Sequence, residues 1–332
     1  MPNKKIRTLL IYQLLEKYSD ENHPLCGARL IELLAEKGID CDRKSIYRDI
    51  DALKEIGFDI LFVKGRGSNG GYFLASRKFQ LPEVVLLIDA VTSAGFITPK
   101  KTAALVDKLK SLVSEEQAKS LVSQVYVNPT ASKCDNEEIY IIIDSLHDAI
   151  IQRHKVSFTY RRRNVDFRKN RKFTDKSFKV SPYALIWKDD HYYLVCNNEK
   201  YDNLMNLRID RMKKLHILNE SARHISEVSA YTSEFDTQDY SSKMFNMFSG
   251  EDCEVSLICD YNLLEEMLDR FGVSIPLSYH DTEHFKTTVN ATLSDGFVSW
   301  LMQYGSAVCV LSPPELVDMI KQKAQSITDV YK

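Results

Sequence analysis

The chain has 332 residues, 44% of them hydrophobic and 27% charged, a balance typical of a globular protein with two or three domains. No apolar run reaches membrane-spanning length and there is no apolar N-terminal leader, so we expect a cytoplasmic protein. The seven cysteines form no C-x-x-C pair. They are therefore expected to be buried free thiols, which argues against a disulfide framework or a zinc site.

Three helices are predicted at the N-terminus. The first covers residues 4–18, and the second covers 27–39 with Gly38 at its C-terminal stop. The third can be capped by Asp42 and ends at Gly57. Its apolar stripe leaves a basic and polar start, made of Arg43, Lys44, Ser45, Tyr47 and Arg48. This arrangement is typical of a helix-turn-helix, and the alternative is a three-helix protein-interaction module with a charged face.

Residues 58–74 predict a strand, a glycine-rich basic turn and a second strand, which together would form a wing. Lys64 and Arg66 lie in or beside that turn and are expected to reach phosphates. With the third helix in the major groove, residues 1–78 would form a winged helix-turn-helix domain. The expected partner is a double-stranded DNA operator.

Residues 79–150 are predicted to be helical, with Pro82 at a helix start. Their low glycine and proline content argues against a flexible linker. The apolar surface of these helices needs a partner, either the rest of the chain or a second copy. We therefore expect a helical linker that supports a homodimer with two-fold symmetry.

The central region, residues 151–220, holds 17 Lys and Arg against 8 Asp and Glu, a net charge of +9, whereas residues 251–332 have a net charge of −8. Such a basic block predicts an anionic ligand or nucleic acid, and the alternative is a solvated face that packs against the acidic C-terminal block. A strand is predicted at 156–160. The charged run 161–179 is interpreted as a solvated loop that could attract anions.

A hairpin follows, with strands on either side of the polar turn at 188–191, and a third strand is predicted at 204–212. In that third strand Ile209 and Arg211 would share a face, and Arg208 would lie on the other. An arginine on an apolar face requires a partner for its charge.

This region resembles the WYL domain, a small Sm-like β-barrel found mainly in bacterial transcription regulators. Tyr192-Tyr193-Leu194 matches the family's name triad, with Tyr in place of Trp. Pro182 to Leu185 and Leu207 to Met212 match two further family segments, while Met205 stands where many members carry an arginine. The segments SIYRDIDAL and GGYFL are similar to the winged helix-turn-helix that such regulators commonly carry.

The basic central region also gathers tyrosines and arginines on its predicted strands: Tyr160, Arg162, Tyr183, Tyr193, Arg208 and Arg211. Arginine makes bidentate phosphate contacts, and tyrosine offers a stacking face and a hydroxyl. Together with the family resemblance, this predicts a nucleotide or a short single-stranded nucleic acid as effector. The alternative is that the arginines pair with the acidic C-terminal region and the tyrosines fill a core.

Residues 250–332 predict the order β-α-β-α-β-α, an α/β sandwich. They resemble the extension that often follows a WYL domain. The matching segments are Arg270 to Gly272, Phe297 to Trp300 and Leu311 to Pro313. The fold class is therefore predicted to be multidomain α+β: a winged helix-turn-helix, a helical linker, an Sm-like β-barrel at 151–220 and this extension.

No catalytic motif is found: there is no phosphate-binding loop, nucleophile elbow or zinc-protease helix. We expect neither an enzyme nor a bound metal or cofactor. The favoured function is a DNA-binding transcriptional regulator whose effector changes its affinity for a discrete duplex site. The alternative is an architectural or processing accessory protein that grips nucleic acid with the basic barrel, and it predicts sequence-indifferent binding with a steep salt dependence.

Overall fold

The structure is a computed structural model that describes residues 4–65, 70–122, 133–166, 171–232 and 235–332. The chain divides into two compact units, Met1–Asp135 and Asn136–Lys332. Each unit combines α-helices with antiparallel β-sheets, so the predicted α+β class is confirmed. Within the described ranges, no helix has the length and apolar character needed to cross a membrane.

The first unit begins with three helices and a β-hairpin: α1 (Lys4–Tyr18), α2 (Gly27–Glu36), α3 (Arg43–Glu55), β1 (Ile60–Val63) and β2 (Gly71–Leu74). The predicted cap of α3 is confirmed, because the Asp42 carboxylate accepts a hydrogen bond of 2.7 Å from the Ser45 amide. Gly57, just after α3, has a φ of +99°, a conformation that favours glycine. The apolar faces of the three helices form one core, which includes Ile11, Leu15, Leu30, Leu34, Ile46 and Ile50.

The β-hairpin is joined to this core through a backbone bridge to Leu25. Strands β1 and β2 pair from Ile60 with Leu74 to Val63 with Gly71, and Tyr72 also pairs with Leu25. A β-carbon at Gly71 would lie 2.3 Å from the Leu25 carbonyl, so only glycine allows this close approach. The hairpin is therefore held beside the start of α2.

Three further helices complete the first unit: α4 (Leu81–Ser93), α5 (Pro99–Lys110) and α6 (Glu115–Val122). Their buried side chains include Val84, Ile88 and Val113. The buried carboxylate of Asp20 accepts hydrogen bonds from the hydroxyl of Ser114, just before α6, and from the amide of His23. Helices were correctly predicted here, and the boundary between the units falls after them.

The second unit begins with α7 (Ile139–Gln152) and a five-stranded antiparallel sheet in the order β6-β5-β4-β3-β7. The strands are β3 (His154–Asp166), β4 (Arg171–Lys188), β5 (His191–Asn197), β6 (Met205–Arg208) and β7 (Met212–Ser221). The predicted hairpin about the polar turn is confirmed by the pairing of β4 with β5. Asp189 and Asp190 form its turn, with φ angles of 49° and 58°.

The prediction that the charged run 161–179 is a loop is wrong. Strands β3 and β4 continue through it as a paired ladder, from Tyr160 with Lys176 out to Asp166 with Arg171. One cross-strand pair compensates charge on one face of this ladder. Arg161 lies opposite Asp175 and makes two hydrogen bonds to its carboxylate, at 2.9 and 3.0 Å, and its guanidinium lies 5.3 Å from the centre of the Phe173 ring.

The prediction of one strand over residues 204–212 is also wrong. Strand β6 ends at Arg208, residues Ile209–Arg211 form a 3-10 turn, and β7 starts at Met212. Ile209 is buried and Arg211 is exposed, so the two do not share an apolar face. A strand end therefore separates Arg208 from Arg211, and strand alternation does not force them to opposite sides.

The rest of the second unit consists of α8 (Thr237–Lys243) and a region of alternating strands and helices. Its elements are β8 (Glu251–Asp260), α9 (Leu264–Phe271), β9 (Leu277–Tyr279), β10 (His284–Leu293), α10 (Asp295–Met302), β11 (Val308–Ser312) and α11 (Pro314–Val330). The predicted order is confirmed, with one added short strand, β9, at the edge of the antiparallel sheet β11-β8-β10-β9. Its core joins Val255 and Phe285 of the strands to Phe297 and Leu316 of the helices.

Candidate nucleic-acid interface and effector site

The start of α3 presents a basic surface. The helix buries Ile46 and Ile50 and leaves Arg43, Lys44, Tyr47 and Arg48 exposed and Ser45 half-buried. The Arg48 guanidinium contacts only its own helix, at 3.4 Å from the Lys44 carbonyl and the Ser45 hydroxyl. Among the described residues, none of the three cations has a carboxylate within ion-pair distance. Their charge is therefore available to an external anion.

The hairpin continues this surface. The Tyr47 ring lies 5.9 Å from the Tyr72 ring of β2, which in turn lies 4.9 Å from Phe62 of β1. Lys64 follows β1 directly and is exposed. Arg66, the other predicted phosphate contact, lies outside the described residues. The start of α3 and the first strand of the hairpin thus share one exposed aromatic and basic surface.

Five of the six predicted effector residues meet at one end of the five-stranded sheet. The Tyr160 hydroxyl, on a side chain only 3% exposed, accepts a 3.3 Å hydrogen bond from the Arg208 amide. Burial raises the pKa of Tyr160, and the neighbouring Arg211 guanidinium opposes that shift. The Arg162 guanidinium lies 5.9 Å from the centre of the Tyr160 ring, and Tyr193 is the strand partner of Arg208.

Arg208 already has an anionic partner. Its guanidinium makes two hydrogen bonds to the Asp210 carboxylate, from Nε to Oδ1 at 3.0 Å and from Nη2 to Oδ2 at 2.8 Å. Both side chains are largely buried, so this is a partly desolvated bidentate pair. Burial disfavours the charge of Arg208, but Asp210 outweighs burial and the pKa of Arg208 is raised. An anion that binds this Nε–Nη2 edge of Arg208 has to replace Asp210.

Arg211 is held in a different way. Its side chain is exposed and, among the described residues, has no carboxylate within ion-pair distance. The turn that carries it is fixed by the buried side-chain amide of Asn136, which donates to the carbonyls of Asp210 at 3.3 Å and Met212 at 2.7 Å. This contact could not be found from the sequence, because Asn136 and Met212 are 76 positions apart.

Tyr183 lies apart from this group in its contacts. Its hydroxyl donates to the Arg223 carbonyl at 3.0 Å, and burial raises its pKa to about 12. His191, in contrast, was not predicted and lies beside the group, with its ring 6.3 Å from that of Tyr193. Its Nδ1 is buried and has no hydrogen-bond partner among the described residues. Such an atom can receive a polar ligand.

Two domain families match the second unit. Residues 142–217 match the WYL domain, and residues 251–328 match the WCX domain. The chain contains a WYL domain and a WCX domain. The resemblance of the central region to the WYL domain is confirmed, and all six predicted effector residues lie within the WYL match.

The matches to whole proteins are more distant. An uncharacterized HTH-type transcriptional regulator, YobV of Bacillus subtilis (strain 168), is 20% identical over 297 residues, which cover 87% of this chain and 90% of that protein. A solved structure, proteasome accessory factor B/C (PafBC) of Arthrobacter aurescens, is 15% identical with a TM-score of 0.28. That match covers 96% of this chain but 47% of the other, so this chain spans about half the length of that protein.

Two cations, one from the WYL domain and one from the WCX domain, bind the chain segment that lies between these domains in the sequence. Lys188, at the end of β4, donates from Nζ to the carbonyls of Ser241 at 2.5 Å and Met244 at 2.6 Å. Arg270 of the WCX domain also donates to the Met244 carbonyl, at 2.8 Å, and lies 4.0 Å from the centre of the Phe245 ring. Burial, with Arg270 nearby, lowers the pKa of Lys188 to about 8.

Proposed function

We propose that this protein is a DNA-binding transcriptional regulator whose WYL domain binds a nucleotide or single-stranded nucleic-acid effector and thereby modulates DNA binding. The observation that carries the proposal is the start of α3, where three exposed cations have no carboxylate partner among the described residues. The similarity to an HTH-type transcriptional regulator over 87% of the chain supports it.

In this proposal α1, α2 and α3 with the β1–β2 hairpin are the winged helix-turn-helix, residues 1–78. Arg43, Lys44, Ser45, Tyr47 and Arg48 contact base edges and phosphates of a duplex operator from the major groove. Lys64 and Arg66 contact phosphates from the wing. Residues 79–150 are the helical linker, and the five-stranded sheet within 151–220 is the Sm-like barrel.

Footprinting of the full chain on the DNA upstream of its own gene tests the duplex function. We expect a discrete protected site at physiological salt. The architectural alternative, favoured by the basic strands β3 and β4, predicts affinity that grows with duplex length and no protected site. Length-dependent binding without a footprint would contradict the regulator proposal.

The effector proposal rests on the group around Arg211. A phosphate can contact the exposed Arg211 directly and can reach Arg208 by displacing Asp210. Because Arg208 directly precedes the turn 209–211 and Arg211 is its last residue, binding would shift that turn. Allosteric coupling of this kind is typically worth about 1–3 kcal/mol, or roughly 5- to 150-fold in duplex affinity.

The test is a titration of labelled mononucleotides and short oligonucleotides into the wild type and Arg211→Ala. The variant is expected to retain duplex affinity and to lose both effector binding and the response to it. Equal effector affinity in the two proteins, or none in the wild type at low salt, would remove this site from the proposal.

The homodimer proposal is supported by α4, which exposes Leu86 at 69% together with Leu87. Paired half-sites are usual for helix-turn-helix regulators, and a symmetric dimer supplies them. We expect a dimer in sedimentation at micromolar concentration, weakened by Leu86→Glu but not by Val273→Glu, a more exposed apolar position in the WCX domain. A monomer in the wild type, both alone and on DNA, would contradict this proposal.

A further inference from the structure

Strands β3 and β4 extend beyond the rest of the WYL sheet. The pairing of β3 with β7 ends at Tyr160, and the pairing of β4 with β5 begins at Ser181. Residues 161–166 and 171–176 pair only with each other among the described residues. We call these two segments the basic ribbon, because their twelve residues include six Lys or Arg and two Asp.

The two faces of the basic ribbon differ in charge. On one face Arg161 is neutralised by Asp175. On the other, Arg162 and Lys176 are exposed, and neither has a carboxylate within ion-pair distance among the described residues. Aromatic rings lie near both charged groups: the Arg162 guanidinium is 5.9 Å from the centre of the Tyr160 ring, and the Lys176 ammonium is 5.2 Å from the centre of the Phe178 ring.

We propose that the basic ribbon is a second DNA-binding element, which contacts the phosphate backbone of duplex DNA with its uncompensated face. The proposal rests on the proposed function, in which the first unit binds an operator duplex. Two duplex-binding elements on one chain raise the affinity of each through effective concentration, without any new base contact.

The chemistry of the basic ribbon favours duplex over single-stranded nucleic acid. Single strands are held by bases stacked on open aromatic rings. On the uncompensated face Tyr160 and Phe178 are buried, so this face offers cations without an exposed ring. Phe173, which is 43% exposed, lies on the opposite face beside Arg161. A two-stranded ribbon also fits the width of the major groove of B-DNA.

The test compares the double neutralisation Arg162→Gln/Lys176→Gln with the matched control Lys200→Gln/Lys286→Gln. The control positions are exposed lysines of the same unit without ion pairs among the described residues, and Lys286 also lies on a strand. The affinity of each full-length protein is measured between about 50 and 200 mM salt, on a duplex that spans the footprint and on one strand of the same sequence.

Each lost phosphate contact reduces the slope of log K against log salt by about 0.9 on duplex DNA, so the ribbon variant should lose about 1.8. We expect affinity about tenfold weaker at the lowest salt, an unchanged footprint position and an unchanged control. An unchanged duplex slope, or a loss confined to the single strand, would overturn the proposal.

These outcomes are separable from failure of the proposed function. If the wild type protects a site and the ribbon variant binds it as well as the wild type does, the ribbon proposal fails and the regulator proposal stands. If the wild type protects no site, the regulator proposal fails, and the ribbon proposal, which rests on it, fails with it. Should the double variant unfold, Lys176→Gln alone provides the same comparison, with an expected slope change of about 0.9.

Discussion

Two groups of cations, those at the start of α3 and the partly buried Arg208 and Lys188 of the WYL domain, are held in opposite ways. At the start of α3, Arg43, Lys44 and Arg48 are exposed and have no carboxylate partner among the described residues. In the WYL domain Arg208 is half-buried and bound by Asp210 through two hydrogen bonds, and Lys188 is half-buried against two carbonyl oxygens.

This difference separates two kinds of anion recognition. Exposed cations attract a polyanion from a distance, and the attraction weakens as salt increases. A partly buried cation that already has a partner accepts a new anion only when the old partner is displaced, so binding is coupled to a local change of structure. The first arrangement suits a DNA backbone, and the second suits a ligand that has to be sensed.

The largest expected effect is the loss of duplex binding when exposed cations at the start of α3 are removed. Lys44→Ala/Arg48→Ala should weaken binding to the footprinted duplex by about 100-fold or more, because a bidentate base contact is worth about 1–3 kcal/mol and a phosphate contact adds to it. Fluorescence anisotropy measures the loss. Lys37→Ala/Lys108→Ala, at two exposed lysines elsewhere in the first unit, is the control. A control that loses as much would mean that net charge, and not this surface, sets the affinity.

The second effect concerns the partly buried Lys188. At pH 8 the unfolded lysine, with its ordinary pKa of 10.5, is protonated, and the folded one, with a pKa lowered to about 8, is only half protonated. Between pH 8 and 10 the folded protein loses this proton while the unfolded chain mostly retains its own. The unfolded state then binds more protons at this position, so Lys188 should contribute a rise in the free energy of unfolding of about 2 kcal/mol.

Urea titrations at pH 8, 9 and 10 measure this contribution as the difference between the wild type and Lys188→Met, and Lys200→Met should show no such difference. The comparison with a variant is needed because buried groups act in the opposite direction. Burial raises the pKa of Cys259 and of Tyr183 to about 12, so each keeps a proton in the folded state that the unfolded chain loses. Equal slopes for the wild type and Lys188→Met would contradict the assignment.

The third prediction concerns Arg208 after its ion pair with Asp210 is removed. Asp210→Asn removes the carboxylate that competes for Arg208, so a short labelled oligonucleotide should bind the WYL domain about tenfold more tightly. Asp202→Asn is the matched control, because it removes a carboxylate that pairs with Arg223, outside the group around Arg211 and outside the basic ribbon. Weaker or unchanged binding by Asp210→Asn would show that the Arg208 guanidinium does not contact the effector.

The smallest expected effect is at the hairpin. Lys64→Ala removes one exposed cation, so duplex affinity should fall about threefold and the salt slope by about 0.9, equally on specific and random sequences. Salt titrations on both duplexes measure the change. A loss seen only on the specific sequence would place Lys64 at a base edge instead of a phosphate.

Much of the fold could be predicted because its signals are local. The cap at Asp42, the apolar stripe of α3 and the alternation of strands and helices after residue 250 each depend on residues a few positions apart. The polar turn between β4 and β5 was predictable for the same reason. Tyr193, Arg208 and Arg211 lie in the segments that resemble the WYL family, whereas Tyr160 and Arg162 were chosen for their residue types in the basic central region.

The two errors arose where distant residues decide the local structure. The charge density of 161–179 is typical of a loop, but Arg161 is compensated by Asp175, 14 positions away. Residues 204–212 alternate like a strand, but the chain turns at 209–211, where Arg208 pairs with Asp210 and Asn136 binds the backbone. The sequence shows Asp210 between the two arginines. Only the structure of the turn shows that Asp210 pairs with Arg208 and would compete with an effector for it.

Asn136 connects the turn 209–211 to the start of the second unit. It is the first residue of the second unit, and its side chain binds the backbone on both sides of Arg211. The backbone that an effector would move is therefore tied directly to the point where the chain passes from one unit to the other. If the proposed effector moves the turn 209–211, the hydrogen bonds of Asn136 are the contacts through which that movement reaches the start of the second unit.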